Sequence, residues 1–334
     1  MTIDFANLSQ RIHACQSFIL CSHIRPDCDA LGSELGMYGA LKQLGKQVRI
    51  INGHPTPPAL SFLDPSQIIE VIHEHVSPDD MQADCMMILD ISAWAQLGAM
   101  GDVLRTFSGT KLCIDHHVGE DDLGTEFFKD TSAEATGHLV TKLAKHLQVK
   151  LTRPMATALY AAIATDTGWF RFSSTTPETY RVVSDLVEAG AVPSEIYSDL
   201  YERDTIGRVR LRGRILSRTT EEMGGQLVYT YVLKEDFPET GAMPPDTEDA
   251  INLTLAIAGT QFAIIFVEQV AGGFKLSFRS RCKVDCNALA RQFGGGGHKA
   301  AAGAFIQGTL AEVQARVLPA IRQELASLRT QSSQ

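Results

Sequence analysis

The stretch SFILCSHIRPDCDALGSELGMYGALKQLG, residues 17–45, decides the fold of the first part of the chain. It begins with a short apolar run, which predicts a buried β-strand, and it continues from residue 30 with the pattern of a helix. A polar segment with a histidine, an arginine and two aspartates separates the two. A strand, a polar turn and a helix in this order are typical of a βαβ unit.

The same alternation of apolar runs and helical patterns continues beyond this stretch. Strand-like runs follow at KQVRII, CMMILDIS and KLCID, and helical patterns cover about residues 133–147 and 153–164. We therefore predict an α/β domain with a mostly parallel sheet over residues 1–190. A helical linker is predicted over residues 191–222. A smaller α+β domain is predicted over residues 223–330, where the runs QLVYTYVL, FAIIFVEQ and FKLSFRSR alternate with turns and helix-like stretches.

The composition limits the class of protein. With 334 residues and 44% hydrophobic residues, the chain is long enough for about two globular domains. It has no apolar run of the ~20 residues that a transmembrane helix needs, and its N-terminus lacks the pattern of a signal peptide. We therefore expect a cytoplasmic protein without a membrane partner. The seven cysteines form an odd set within mostly apolar runs, which predicts reduced core residues.

The net charge of −9 argues against tight binding to long duplex nucleic acid, because such binding depends on a basic surface. Short anionic substrates remain compatible with this charge if positive charge is supplied locally or by a metal ion.

Acidic residues and histidines follow the predicted strands and one helix, where a parallel sheet collects its ligands. They are His23, Asp27, Asp29, Asp90, Asp115, His116, His117 and Asp166. A single aspartate in such a place is most often a helix cap or a turn residue. Five carboxylates at one edge would repel each other unless cations neutralised them. Oxygen and imidazole ligands without a thiolate favour Mn²⁺ or Mg²⁺ over structural zinc.

A pair of such ions about 3.5 to 4 Å apart would hold a phosphoryl group for in-line attack by a bridging hydroxide. The residues therefore predict phosphoester hydrolysis.

The order and spacing of these residues resemble the four motifs of the DHH phosphoesterase superfamily. The matching segments are His23-x3-Asp27-x-Asp29-Ala30-x-Gly32-Ser33, Asp90-Ile-Ser, Asp115-His116-His117 and Asp166-Thr167-Gly168-x-Phe170. Two further segments, Phe278-Arg279-Ser280 and GGGGHKAAAG at residues 294–303, resemble the DHH-associated domain. Both domains in this order are similar to the subfamily of oligoribonucleases, the nanoRNases, that also dephosphorylate 3′-phosphoadenosine 5′-phosphate.

The resemblance implies a site for two divalent ions, with Mn²⁺ preferred and Mg²⁺ or Co²⁺ as alternatives. His23 and Asp27 would hold the first ion. Asp29, His116 and Asp166 would hold the second ion, and Asp90 would bridge both. The implied catalytic residues are Asp90, Asp115 and His117: Asp115 would orient a ligand histidine, and His117 would face the phosphate or the leaving oxygen.

The resemblance also implies the substrates and the residues that bind them. The implied substrate-binding residues are His117, Arg279, Ser280, Gly295, Gly296, Gly297 and His298. The implied activity is that of a Mn-dependent exonuclease, which converts short RNA oligonucleotides and dinucleotides to nucleoside 5′-monophosphates. It would also act as a bisphosphate nucleotidase, which converts 3′-phosphoadenosine 5′-phosphate to AMP and phosphate. For an isolated run of glycines a tight turn would be the ordinary explanation. A homodimer is left open.

Other functions are compatible with parts of this pattern. The substrate could be a cyclic dinucleotide, a linear form such as pApA or pGpG, or inorganic pyrophosphate. A non-catalytic nucleotide sensor would have a degenerate site, and no ligand of the motifs is missing here. Two positions depart from the family pattern. Cys28 replaces a small residue and is expected to change packing, and Gln96 replaces an arginine whose role another cation would have to take.

Overall fold

A computed structural model describes residues 3–119, 121–247 and 250–331 of the chain. The chain divides into two compact units, Met1–Arg203 and Asp204–Gln334. The division falls inside the segment predicted as a helical linker, whose own boundaries stay a prediction. Of the helices in that segment, Pro193–Tyr201 belongs to the first unit and Ile206–Ser217 to the second.

The first unit alternates strands and helices, as the sequence predicted. Its elements are α1 (Phe5–Ala14), β1 (Ser17–Cys21), α2 (Cys28–Gln43), β2 (Gln47–Asn52), β3 (Ile69–Val71), β4 (Cys85–Leu89), α3 (Ala99–Thr106), β5 (Thr110–Asp115), β6 (Glu126–Lys129), α4 (Thr136–His146), α5 (Arg153–Asp166), α6 (Pro177–Glu188) and α7 (Pro193–Tyr201). The short strands β3 and β6 were not predicted, because runs of three and four residues carry little periodicity.

The strands form one parallel sheet in the order β3-β2-β1-β4-β5-β6. The strand order reverses between β1 and β4, which makes this a doubly wound sheet. In such sheets the crevice beyond the carboxyl ends of the strands at the reversal is the usual ligand site. The predicted α/β class is confirmed, and the topology predicts a ligand site beyond β1 and β4.

Both faces of the sheet are covered, which explains the continuous apolar runs. Phe18 and Leu20 of β1 belong to the core beneath α2, α4 and α5. Ile19 and Cys21 alternate with them and belong to a second core that includes residues of α3. The pleat of β1 therefore contributes to two apolar layers.

Glycines allow α2 to approach α5 very closely. A Cβ atom at Gly32 would lie 2.3 Å from the carbonyl oxygen of Ala158 and 2.9 Å from the Cβ of Ala162. A Cβ at Gly36 would lie 2.5 Å from a methyl group of Leu159. Since Asp29 lies one turn before Gly32, this packing fixes the end of α2 that carries a candidate ligand.

The second unit is an α+β unit, as predicted. Its elements are α8 (Ile206–Ser217), β7 (Thr220–Glu222), β8 (Leu227–Val232), α9 (Asp236–Thr240), α10 (Ala250–Leu255), β9 (Phe262–Glu268), β10 (Phe274–Ser280), α11 (Cys286–Arg291), β11 (Gly296–Gly297), β12 (Ala301–Ile306) and α12 (Leu310–Gln331). Its sheet has the order β11-β12-β10-β9-β8-β7, in which β8 and β9 are parallel and the other pairs are antiparallel.

The cysteines are free thiols, and six of the seven are buried, in agreement with the prediction of reduced core residues. Cys282 is partly exposed. Of the helices in the described ranges, none combines the length and the apolar character needed to cross a membrane.

We predict that Gly32→Ala lowers the free energy of unfolding by about 2 kcal/mol, because the added methyl group meets a backbone carbonyl that has no room to move. Urea denaturation followed by circular dichroism measures this change. Gly213→Ala is the matched control. A Cβ at this exposed helical position meets no atom of the described chain within 4 Å, so stability should rise by about 0.5–1 kcal/mol. Equal stability of the two variants would contradict the packing argument.

Candidate metal centre

The candidate ligands of the first unit lie at the sheet reversal. His23 follows β1, Asp90 follows β4, and His116 follows β5. Asp27 and Asp29 lie at the start of α2, and Asp166 is the last residue of α5. The predicted set of eight acidic and histidine residues is therefore brought together at the carboxyl edge of one sheet.

His23 presents one ring nitrogen to two carboxylates. Its Nδ1 lies 3.0 Å from the carbonyl oxygen of Ile24. Its Nε2 lies 3.7 Å from Asp27 Oδ1 and 3.6 Å from Asp90 Oδ2. Since a carbonyl accepts but does not donate, the neutral ring carries its proton on Nδ1 and turns the lone pair of Nε2 toward the carboxylates. Burial lowers the pKa of His23, but the nearby carboxylates of Asp27 and Asp90, which favour the protonated ring when no cation is bound, outweigh burial and raise it to about 11.

Asp27 also caps α2. Its Oδ1 accepts hydrogen bonds from the backbone N–H groups of Asp29 and Ala30 at 3.0 and 3.1 Å. The ordinary explanation for an aspartate in this place, a helix N-cap, is therefore correct, and the same side chain faces His23.

Asp90 connects the two halves of the cluster. Its Oδ2 lies 3.6 Å from the Nε2 of His23, and its Oδ1 lies 3.5 Å from the Nε2 of His116. The side chain is 3% exposed, and Thr136 Oγ1 donates to Oδ1 at 3.0 Å. The backbone of Asp90 has a φ of +62°, a conformation that costs energy for a residue with a Cβ. The strained position directs one carboxylate toward both histidines.

Asp29 is held by the N-terminus of α4. The backbone N–H groups of Thr136 and Gly137 donate to its two carboxylate oxygens at 2.7 and 2.8 Å. Ser33 Oγ also donates to Oδ1, at 3.3 Å. The positive end of the helix dipole thus faces a fully buried carboxylate.

His116 faces three carboxylates. Its Nε2 lies 3.7 Å from Asp29 Oδ2, 3.5 Å from Asp90 Oδ1 and 3.4 Å from Asp166 Oδ2. Its Nδ1 lies 3.3 Å from the carbonyl oxygen of Ala133, so the neutral ring has the same tautomer as His23.

The electrostatics of this cluster favour a bound cation. Burial and the charges of Asp90 and Asp166 raise the pKa of Asp29 well above its ordinary value. Burial and the charges of Asp90 and Asp27 raise the pKa of Asp166 to about 7. A divalent cation would relieve this repulsion and keep the carboxylates ionised.

Three overlapping groups of side chains have ligand atoms within 4.8 Å of one another. They are His23 with Asp27 and Asp90, Asp29 with His116 and Asp166, and Asp90 with His116 and His117. The first group contains the three residues expected around one ion, and the second contains three of the four expected around the other. Asp90 adjoins both groups, and the roles of these residues as metal ligands stay a prediction. Oxygen and imidazole donors fit a divalent cation such as Mn²⁺ or Mg²⁺.

His117 is held by a chain of charged groups. Asp115 Oδ1 lies 2.7 Å from its Nδ1, and Lys129 Nζ lies 2.9 Å from Asp115 Oδ2. Lys129 also donates to the carbonyl oxygen of Gly119 at 2.6 Å, which ties the loop after His117 to β6. The hydrogen bond to Asp115 raises the pKa of His117, against the effect of burial. The histidine that Asp115 contacts is thus His117, which the sequence analysis placed beside the substrate.

The two departures from the family pattern have structural explanations. Gln96 Oε1 accepts hydrogen bonds from the backbone N–H groups of Ser92 and Ala93, both at 3.0 Å. It therefore closes the loop that follows Asp90. Cys28 is buried as the first residue of α2, and burial raises the pKa of its thiol to about 12.

The substrate-binding residues predicted in the second unit lie at one end of its sheet. Arg279 and Ser280 end β10, on opposite faces of the strand. Ser280 Oγ accepts a hydrogen bond from the backbone N–H of Cys282 at 3.2 Å.

Gly296 and Gly297 form β11, and Gly295 directly precedes it. The exposed His298 begins the tight turn from β11 to β12, where its N–H donates to Ala301 O at 2.7 Å. A Cβ at Gly295 would lie 2.1 Å from the carbonyl oxygen of Gly303. Close packing against β12 therefore explains the glycine at this position.

Sequence reasoning missed the residues that hold the ligands in place. Thr136 and Gly137 hold Asp29, Ala133 orients His116, and Lys129 pairs with Asp115. Lys129 lies directly opposite Asp115 in the register of β5 and β6. Recognition of β6 as the neighbour of β5 would have been needed to find it.

The chain matches two family models. Residues 17–163 match the DHH family, N-terminal domain, and residues 224–327 match the DHHA1 domain. A bifunctional oligoribonuclease and PAP phosphatase NrnA from Thermus thermophilus is 33% identical over 92% of this chain and 89% of its own length. The chain belongs to the DHH family. Of the candidate metal ligands in this DHH protein, Asp166 alone lies outside the first matched segment, by three residues.

Two further proteins match this chain over most of its length. The protein of the same name from Bacillus subtilis is 29% identical over 90% of this chain and 92% of its own length. The crystal structure of an exopolyphosphatase-related protein from Bacteroides fragilis has a TM-score of 0.84 and 27% identity to this DHH chain, and the match covers 99% of this chain and 97% of that one.

We predict that Asp90→Asn weakens Mn²⁺ binding by roughly 100-fold, because the carboxylate adjoins both groups of ligands. Isothermal titration calorimetry of the metal-free protein measures the effect. In EDTA the variant should be at least as stable as the parent, since one of several repelling charges is removed. Asp102→Asn, at an exposed aspartate of α3, should bind Mn²⁺ like the parent. Parental affinity in Asp90→Asn would contradict a shared ligand.

We predict that Lys129→Met lowers the free energy of unfolding by about 3 kcal/mol, because it removes the lysine from Asp115 Oδ2 and leaves the buried carboxylate with His117 as its remaining partner named above. Urea denaturation measures this loss. The double variant Lys129→Met with Asp115→Asn should recover part of the stability, since the buried charge is then gone. A double variant less stable than Lys129→Met would show that the pair is not coupled in this way.

Proposed function

We propose that this protein hydrolyses short RNA oligonucleotides to nucleoside 5′-monophosphates and 3′-phosphoadenosine 5′-phosphate to AMP and phosphate, with two bound Mn²⁺ ions. The observation that carries the proposal is the position of the Asp90 carboxylate between His23 and His116. The names of the relatives from Thermus thermophilus and Bacillus subtilis, bifunctional oligoribonuclease and PAP phosphatase, support the same substrates.

One site suffices for both reactions because the same bond is broken. In a dinucleotide, water adds to the phosphorus and the P–O3′ bond breaks, which leaves a 5′-phosphate on the released nucleotide. In 3′-phosphoadenosine 5′-phosphate, water adds to the 3′-phosphorus and again the P–O3′ bond breaks. The leaving group is in each case a ribose O3′ that takes up a proton. The two substrates differ at the phosphorus: in the dinucleotide it is also esterified to O5′ of the second nucleoside, whereas in 3′-phosphoadenosine 5′-phosphate it belongs to a terminal phosphate group.

The residues of the first unit have separate tasks in this reaction. His23, Asp27 and Asp90 would hold one cation, and Asp29, His116 and Asp166 the other. When bound, the cations supply positive charge for the phosphoryl oxygens and lower the pKa of water. Asp115 occupies the Nδ1 of His117, so Nε2 is the ring atom left to carry a proton toward the O3′ leaving group.

The chain's thiols support a reducing compartment for this activity. Free cysteines, including six buried ones, are typical of proteins that fold in the cytoplasm, and we place the proposed reaction there.

The test is product analysis with purified protein and Mn²⁺. The panel contains a 5′-labelled RNA dinucleotide, a seven-nucleotide RNA, pApA, cyclic di-AMP, 3′-phosphoadenosine 5′-phosphate and pyrophosphate. We expect rapid release of mononucleotide from the dinucleotide and of phosphate from the bisphosphate, with both rates reduced at least about 1000-fold in Asp90→Asn and unchanged in Asp102→Asn.

Other outcomes would redirect or overturn the proposal. Turnover of cyclic di-AMP or pyrophosphate in place of the dinucleotide would keep the metal centre and overturn the substrate. Binding of nucleotides without any turnover would favour a sensor.

A further inference from the structure

Three fully buried polar residues, Ser22, Glu34 and Asn52, form a hydrogen-bonded group next to the loop that carries His23. Ser22 directly follows β1, Glu34 lies in α2, and Asn52 ends β2. Asn52 Nδ2 donates to Glu34 Oε2 at 2.9 Å, and the backbone N–H of Ser22 donates to Asn52 Oδ1 at 3.1 Å. None of the three has a role in the reaction proposed above, so their burial needs a separate explanation.

Stability alone does not explain a buried carboxylate in this place. Burial raises the pKa of Glu34 to about 7, and the neighbouring Asn52 amide and Ser22 hydroxyl act against burial. Among the described residues, Glu34 Oε1 and Ser22 Oγ have no hydrogen-bond partner. Buried polar groups that are only partly paired cost free energy, and apolar residues of similar shape are often neutral or stabilising in their place. A functional constraint is therefore the better explanation for this group.

Asn52 connects the ends of three neighbouring strands. The paired register of β1 and β2 ends at Leu20 and Ile50. Two residues further along both strands, the side chain of Asn52 accepts the N–H of Ser22. The backbone carbonyl of Asn52 accepts the N–H of Ile72, which directly follows β3, at 3.0 Å. The asparagine side chain thus continues the pairing between β1 and β2 beyond their last paired residues.

The carboxylate of Glu34 decides how this asparagine is turned. An asparagine amide can present either its oxygen or its NH₂ group to a neighbour. An ionised carboxylate accepts and does not donate, so Glu34 keeps the NH₂ group of Asn52 on its own side. The amide oxygen is then the atom that faces the N–H of Ser22.

His23 lies between two backbone N–H groups that are both held in place. Asn52 accepts the N–H of Ser22, directly before His23. The N–H of Ile24, directly after His23, donates to the carbonyl oxygen of Gln96 at 2.7 Å. The course of the chain through His23, and with it the direction of the imidazole ring, therefore depends on both contacts.

We propose that Asn52 and Glu34 are positioning residues for the metal ligand His23. Glu34 fixes the amide of Asn52, and Asn52 holds the backbone directly before His23. The inference rests on the metal centre of the proposed function. It implies that loss of Asn52 weakens the cation that His23 and Asp27 would hold and leaves the other cation in place.

The first test measures Mn²⁺ binding to the metal-free full chain by isothermal titration calorimetry. Asn52→Leu keeps the branched shape of the side chain and removes both hydrogen bonds. It should weaken the affinity for one Mn²⁺ about tenfold, the effect expected when an outer partner of a metal ligand is lost. Glu34→Gln should stay within about threefold of the parent, because its amide oxygen still accepts from Asn52. Thr254→Val, which removes a buried hydroxyl in the second unit, should leave Mn²⁺ binding unchanged.

A double-mutant cycle tests whether the effect belongs to the cation that His23 would hold. In a His23→Ala background, adding Asn52→Leu should change the remaining Mn²⁺ affinity by less than about twofold. In a His116→Ala background, adding Asn52→Leu should still cause the loss of about tenfold. Equal losses in the two backgrounds, or a Glu34→Gln variant that binds as weakly as Asn52→Leu, would overturn the proposal.

Urea denaturation in EDTA controls for folding. Asn52→Leu leaves the buried carboxylate of Glu34 without the amide, and this change by itself could prevent folding. In that case the double variant Asn52→Leu with Glu34→Leu, which also removes the buried charge, takes its place in both tests. The same tenfold loss of Mn²⁺ affinity in the folded double variant would support the proposal, and parental affinity would overturn it.

Hydrolysis of the RNA dinucleotide separates this inference from the proposed function. Parental hydrolysis together with parental Mn²⁺ affinity in Asn52→Leu would overturn the positioning role and keep the function. Mn²⁺ binding that depends on Asn52, in a chain that hydrolyses none of the substrates, would keep the positioning role and overturn the function. A parent chain that binds no Mn²⁺ would overturn both.

Discussion

Hydrogen bonds from the N-terminus of α4 to the carboxylate of Asp29 are the constraint on which the metal centre depends. The backbone N–H groups of Thr136 and Gly137 supply them, and the hydroxyl of Thr136 also holds Asp90. One helix end thus orients two buried acids that repel each other. A helix N-terminus suits this task because its unpaired N–H groups and its dipole both favour a negative charge.

The position of that helix end follows from close packing. The glycines of α2 bring this helix against α5, and a Cβ at Gly137 of α4 would lie 2.7 Å from the Cβ of Ala162 of α5. The three helices therefore meet where side chains are smallest, next to the ligands. The strained backbone of Asp90 belongs to the same arrangement, because the surrounding elements hold it at a positive φ.

Much of the fold and of the site could be predicted from the sequence. The apolar runs of β1, β4 and β5 are long enough to read as buried strands, and the acids and histidines after them indicate one shared edge. The family resemblance added the grouping of ligands around Asp90. The short strands β3, β6, β7 and β11 were not predicted, because they have between two and four residues. The strand β12 and the long helix α12 were also not predicted, although their lengths would have allowed a prediction.

The sequence by itself determined which chemical groups are present and which strand ends carry them, since these follow from residue type and local periodicity. The tertiary structure alone decided which groups meet. It paired Asp115 with His117 and Lys129 and used Gln96 to close a loop. These contacts join residues from different elements or depend on strand register and on the course of a loop. Local sequence patterns carry no information about such distances.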